Sequence, residues 1–358
     1  MKHLKTYQLF ESHGVAEATL IYNEFLLDEF NKNFDLFMKK DESADKSKER
    51  KYSLKKYYTK EDLSTFIENN LWPKFPVSSM EVNYSLDIIT DVECVKKFTN
   101  INPYELLIST GACYNIGEEE DGSSLQPAIN DESDVTIHLK LEVGVLISNS
   151  FSNMDELSID VESSITHELN HGYESWNRIK KGKGQISTDI TWALDINRSN
   201  INKDIWKMWH DEIGYYIYWS ELHEINAMVQ DAWPYVKRYD IEELKEKAPS
   251  WAFSKRMTEF DANIFKQKIV GKILSIYPDA DVDIMLRRIK NGFANELIKI
   301  REVSAGSKED KPSLSGDSIK SMSVDKFLNF IEKRVNRAGD IIKRNITKLY
   351  SLKVNTKL

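Results

Sequence analysis

The sequence predicts an α+β protein: strands of an antiparallel sheet followed by an amphipathic helix, with further helices before and after. Three observations carry this. Apolar residues recur at helical spacing from Ala16 to Met38 and again through most of the chain after Asp160. Between these, Val82, Tyr84, Leu86 and Ile88 alternate with polar residues, as do Val135, Ile137, Leu139 and Leu141. The composition, 41% hydrophobic and 30% charged over 358 residues, is that of an ordinary globular chain.

In chain order, Leu20, Phe25, Leu27, Phe30, Phe34 and Phe37 make residues 16–38 an amphipathic helix that packs on the rest of the protein. The charged stretch Lys39 to Lys56 reads as a solvated linker or an exposed helix end. Thr59 with Asp62 three residues on forms a capping-box-like start to a short helix, which Pro73 and Pro76 end. The alternating segments that follow imply strands with one solvated face, hence an antiparallel sheet. Glu118 to Asp134, acidic and rich in turn formers, reads as a loop. Helices follow over 160–181, 205–219, 221–235, 241–247, 254–277, 281–303 and 324–350, with a polar break at 304–318. The expected organisation is a helical extension (1–76), a central α+β domain (77–235), a helical subdomain (236–303), a linker (304–319) and a basic C-terminal helix (320–358).

A net charge of −8 argues against a surface built throughout for nucleic acid. Two cysteines form no disulfide framework and suit a reducing compartment. No apolar run has signal-peptide or membrane-spanning length, so the expectation is a soluble, cytoplasmic protein with no membrane partner. From Lys320 to Leu358 ten Lys and Arg face three Asp and Glu. That tail is the one hint of a nucleic-acid or acidic partner, and a solvated helix face explains it more simply.

The chemistry concentrates at His167-Glu168-Leu169-Asn170-His171. On a helical wheel His171 falls about 40° from His167, while Val161, Ile165, Leu169, Gly172 and Trp176 take the opposite half. One face is therefore free to be buried while two imidazoles project together from the other. An i, i+4 histidine pair suits one metal ion bound at about 2.0–2.1 Å. Glu168, about 100° round, is poorly placed to join them on the metal, but beside it a carboxylate can take a proton from an activated water and pass it to a leaving amine. With seven histidines in the chain, a chance His-Glu-x-x-His is on the order of a one-in-a-hundred event.

The segment Ile165 to His171 resembles the active-site helix of the zincin metallopeptidases. The resemblance implies a zincin-like core, a Zn2+ cofactor, a protein or peptide substrate, and an edge strand that aligns the substrate backbone, a part open to Val135–Val143 or Gly144–Asn149. The metzincin continuation is absent, since Glu174 and Asn177 stand where Gly and His belong. The alternative is the gluzincin arrangement, with a third ligand from a second helix. Glu224, followed three residues later by the small Ala227, resembles that ligand, and Glu221 is the next choice. Glu174, two turns past His167, suits a carboxylate that holds a histidine ring. His210 and His223 are outer candidates. Met228 stands where the gluzincin pattern has an aspartate, which leaves the second partner of the histidines unassigned. Tyr215, Tyr216, Tyr218 and His210 are candidates to stabilise an oxyanion.

The reading is thus a gluzincin-like zinc peptidase with His167, His171 and Glu224 on the metal and Glu168 as general base and acid. Its rival is a non-catalytic zincin-fold structural or virion-associated protein. The opening residues 1–12 resemble the starts of proteins from large tailed phages, which would place it in a host cytoplasm or a virion.

Overall fold

Among the described residues helices dominate, and a four-stranded sheet makes the protein mixed α+β. The structure, a computed structural model, describes residues 2–67, 77–90, 107–113, 137–149, 154–180, 201–247, 260–303 and 314–356. The chain divides into two compact units, residues 1–181 with 230–235, and residues 182–229 with 236–358.

The first unit holds the sheet. Helix α1 (Lys2–Asp41) buries Tyr22, Leu26, Phe30, Phe34 and Phe37, four or three residues apart, so one stripe of the helix enters the core. Strand β1 (Arg50–Tyr58) follows. This corrects the expectation of a linker over 39–56. Lys51, Ser53, Lys55 and Tyr57 point to solvent and Tyr52 and Leu54 are partly covered, an alternation masked by the lysines that protect an edge strand. The capping box forms: Thr59 N donates to Asp62 Oδ2 at 2.8 Å, and Asp62 N donates to Thr59 Oγ1 at 3.3 Å, opening α2 (Lys60–Ile67). Pro73 and Pro76 lie outside the described residues, as does the acidic segment 118–134.

Strands β2 (Val77–Ile89), β3 (Leu107–Cys113) and β4 (Ile137–Ser148) complete the sheet in the order β1-β2-β4-β3. Two of its three pairings are antiparallel. The central one, β2 with β4, is parallel, with Val82 opposite Leu141 and Leu86 opposite Val145. Residues 137–148 form one continuous strand rather than two, and that strand lies inside the sheet. The expectation that 135–143 or 144–149 is a substrate-aligning edge is therefore corrected. Both of β4's backbone edges are engaged in ladders, and among the described strands the edges are β1 and β3. The cause is visible in Leu139, Leu141, Val143, Val145 and Ile147, all at most 5% exposed, an apolar run that belongs in the middle of a sheet.

Helix α3 (Met154–Lys180) packs on this core through Leu157, Val161, Ile165, Leu169 and Tyr173, each four residues from the last. Its rotation is fixed by a buried polar contact to α1: Asn23 Nδ2 donates to Thr166 Oγ1 at 2.6 Å, and Thr166 Oγ1 donates to the carbonyl of Glu162 at 2.7 Å. A buried hydrogen bond of this kind discriminates against a turned helix more than it adds stability.

The described residues of the second unit are mostly helical. Helix α4 (Lys203–Trp209) is capped by Asn202, passes through a π-helical turn (His210–Gly214), and continues as α5 (Tyr215–Trp219). Next come α6 (Leu222–Asp231), whose last two residues group with the first unit, α7 (Trp233–Arg238) and α8 (Ile241–Lys247). The chain ends with α9 (Ala262–Ile276), α10 (Val282–Val303), α11 (Gly316–Ser321) and α12 (Val324–Thr356). Trp209, fully buried, stacks on Phe327 at 6.1 Å and meets Phe265 edge-on at 5.5 Å, which ties α4, α9 and α12 around one aromatic centre. Among the described residues, no helix is long and apolar enough to cross a membrane.

Candidate metal centre

The amphipathic phasing of α3 sets the site. Val161, Ile165 and Leu169 are at most 1% exposed, while His167, Glu168 and His171 on the remaining arc are only partly buried. The two imidazoles converge: His167 Nε2 and His171 Nε2 lie 3.0 Å apart, with the rings nearly perpendicular at 82°. Two nitrogens bound tetrahedrally at 2.0–2.1 Å would sit about 3.3 Å apart, so the pair is already close to ligating geometry.

The third member comes from α6. One ligand atom from each of His167, His171 and Glu224 lies within 4.8 Å of the others. Glu224 is fully buried. A carboxylate taken out of water is costly unless a cation or donors offset it, and a divalent ion between it and two imidazoles would do so. The donor set, two imidazoles and one carboxylate, is one that catalytic zinc sites use. Ala227, one turn on from Glu224 and also fully buried, keeps that part of the helix slim.

Glu221, the other candidate for the third ligand, is engaged elsewhere. Its Oε1 accepts from Arg334 Nη2 at 2.8 Å, and Arg334 Nε also donates to Ser220 Oγ at 2.5 Å. Arg334 projects from α12 and thus holds the residues that lead into α6. His223 Nε2 stands 3.4 Å from Glu224 Oε1, beside the ligand rather than among the three.

Asp231 was missed by sequence reasoning. It ends the same helix that carries Glu224, seven residues or two turns further on, and its carboxylate faces His167 Nδ1 at 3.0 and 3.1 Å. A carboxylate accepts, so the imidazole carries its proton on Nδ1 and leaves the Nε2 lone pair toward His171 and Glu224. Two further contacts fasten α3 to this stretch. Ser163 Oγ donates to the Asp231 carbonyl at 2.9 Å, and Tyr235 OH donates to Asp160 Oδ1. Positions 160, 163 and 167 form one stripe of α3, so the contacts that hold the two segments together also aim the first histidine. Glu174 was expected to hold a histidine ring; on His167 that place belongs to Asp231. The signal lay in the spacing of Glu224 and Asp231, one face of a helix at i and i+7, rather than in the i+4 aspartate that Met228 replaces.

The oxyanion candidates separate. Tyr215 is 47% exposed, and its ring meets that of His210 edge-on at 6.3 Å. Tyr216 packs on Phe260 at 4.8 Å. Tyr218 lies edge-on to His223, the sequence neighbour of Glu224, at 6.2 Å. His210 is buried in the π-helical turn with Nδ1 3.4 Å from Asp211 Oδ1. The chain matches no family model, no curated protein and no solved structure.

Proposed function

We propose that this chain is a zinc-dependent peptidase of the gluzincin kind, in which His167, His171 and Glu224 hold the metal and Glu168 moves the proton. The observation that supports it most is the convergence of those three ligand atoms within 4.8 Å around a histidine pair whose proton is placed by Asp231. Glu168 adjoins His167 in sequence and is partly exposed, beside the proposed metal ligands. A zinc ion bound by the three ligands would supply Lewis acidity toward a water and the scissile carbonyl. Glu168 would accept a proton on a carboxylate oxygen as the water attacks and return it to the departing amine. His171 and Glu224 have no proton to move in this scheme; they fix the position of the site.

Elemental mass spectrometry of the wild type beside Glu224→Ala, with digestion of a peptide mixture by wild type and Glu168→Gln, tests this reading. About one zinc per chain in wild type and Glu168→Gln, a clear loss in Glu224→Ala, and cleavage by wild type alone are the expected results. Retained cleavage in Glu168→Gln would remove the proposed base. Stoichiometric zinc without any cleavage by the wild type would favour a non-catalytic, structural or virion-associated protein instead.

A further inference from the structure

The cations of α12 are arranged along a line. With Lys326 at zero on a helical wheel, Lys333 falls at about −20°, Arg337 at about 20°, Arg344 at about 0° and Lys348 at about 40°. All five side chains are exposed. The opposite face, with Phe327, Ile331, Val335, Ala338, Ile342 and Ile346, is buried in the second unit. The stripe is thus about 60° wide and, over 22 residues, about 33 Å long. Its spacing of seven, four, seven and four residues places a charge every 6 to 10 Å or so along the axis.

These cations are not used inside the fold. Other charges of the same helix are: Asp325 takes Lys266 at 2.6 Å, and Arg334 takes Glu221 at 2.8 Å. Among the described residues, none of the five stripe cations belongs to an ion pair. Arg344 spends one N–H on the backbone carbonyl of Asp340 at 3.1 Å, which holds its guanidinium along the helix. Asp340, at about −40°, is the one carboxylate at the margin of the stripe.

We infer that this stripe is a docking surface for the phosphodiester backbone of a nucleic acid duplex, independent of the proposed peptidase chemistry. The charge pattern selects among polyanions. An interfacial membrane helix offers lipid an apolar face, and the apolar face of α12 is already buried. A protein partner wants an apolar or aromatic centre ringed by polar groups, and the stripe has cations at its centre. A row of long cationic stems without groups set to read bases is what sequence-independent phosphate contact requires. The net charge of −8 does not oppose this, because charges more than about 10 Å away are largely screened at 0.1 M salt.

Fluorescence anisotropy of the full-length protein with two labelled DNA duplexes of unrelated sequence, over a salt series, is the test. Five phosphate contacts give a log K against log salt slope of about −4.5, or about a 500-fold loss between 50 and 200 mM salt, equal for both duplexes. Arg337→Gln/Arg344→Gln/Lys348→Gln should bring the slope to about −2 with unchanged circular dichroism. Lys51→Gln/Lys55→Gln, on β1, should leave it unaltered and serves as the control for charge removal as such. No binding at 50 mM salt, or the wild-type slope in the triple variant, would overturn the inference. So would a polyglutamate of equal charge displacing the duplex at equal concentration, since the surface would then suit an acidic protein.

Discussion

Asp231 holds His167 by a charge-assisted hydrogen bond on the side of the ring away from His171. Partners of this kind orient the ligand and raise its basicity, and their loss typically costs about 10- to 100-fold in metal affinity. On the proposed zinc site, Asp231→Asn keeps the volume but not the charge, so zinc affinity, read by competition with a chelator of known strength, should fall within that range. An unaltered affinity would mean that the contact does not contribute to binding. Glu221→Gln is the matching control: Arg334 holds that carboxylate, so zinc content should stay at the wild-type level, whereas Glu224→Gln should lose it. The histidine pair was legible in the sequence because its i, i+4 spacing and the apolar arc opposite are both properties of one helix. That Glu224 should lie near the pair was suggested by the small residue a turn away, and its carboxylate does group with them. Asp231 was not legible, because its partner lies 64 residues earlier in the chain and only the fold brings the two together.

At the scale of elements, what could be read was what a single segment decides. The capping box of α2 and the buried arc of α3 rest on local spacing, and both formed. Strand β1 was hidden because an edge strand with lysines on its open face looks like a linker. The place of β4 inside the sheet was hidden because it depends on β3, where Leu107–Cys113 gives only a short signal. The short helix α11 lay unseen in a polar stretch for a related reason: it is held from outside. Lys290, on α10 and 2% exposed, donates to the carbonyls of Ile319, Lys320 and Met322 at 2.8, 3.1 and 2.5 Å, closing the end of α11 with a cation. The start of α11 touches α10 so closely that a Cβ on Gly316 would sit 2.3 Å from the Ala294 carbonyl oxygen and 2.6 Å from Ile298 Cγ1. Backbone cannot yield as a flexible side chain does. Gly316→Ala should therefore lower stability by about 1–3 kcal/mol in urea unfolding, although alanine is the better helix former. A neutral or stabilising result would show that the two helices separate without cost.

For the molecule as a whole, the first unit has ionisable groups whose pKa values in the fold make its stability depend on pH. Burial alone would raise the carboxyls of Glu29 and Asp41. Hydrogen bonds outweigh it and hold both below their ordinary values: Lys56, Lys32 and Tyr58 on Glu29, and Lys46, Arg50 and Tyr52 on Asp41. A depressed carboxyl contributes stability that is present above its unfolded pKa, near 4, and is lost as pH falls through the folded value. The phenols run the other way. Burial pushes Tyr22 up to about 12 against a weaker opposing hydrogen bond from Val77 N–H, and burial likewise raises Tyr58 and Tyr84, whose hydroxyls lie 3.4 Å apart. For a raised group the contribution is complete below the unfolded pKa of 10 and is lost as pH climbs through the folded value, so the stability these phenols contribute should fall as the pH rises above about 10. Tyr22 lies on α1, Tyr58 on β1 and Tyr84 on β2, so ionising them should weaken the packing of the long N-terminal helix on the sheet. In an alkaline titration, tyrosinate absorbance should therefore rise in two stages, an early one from exposed rings and a later one that coincides with loss of sheet circular dichroism. A single smooth rise near pH 10 with structure retained would show that these hydroxyls reach solvent without unfolding, and that the core around α1 is looser than its buried tyrosines imply.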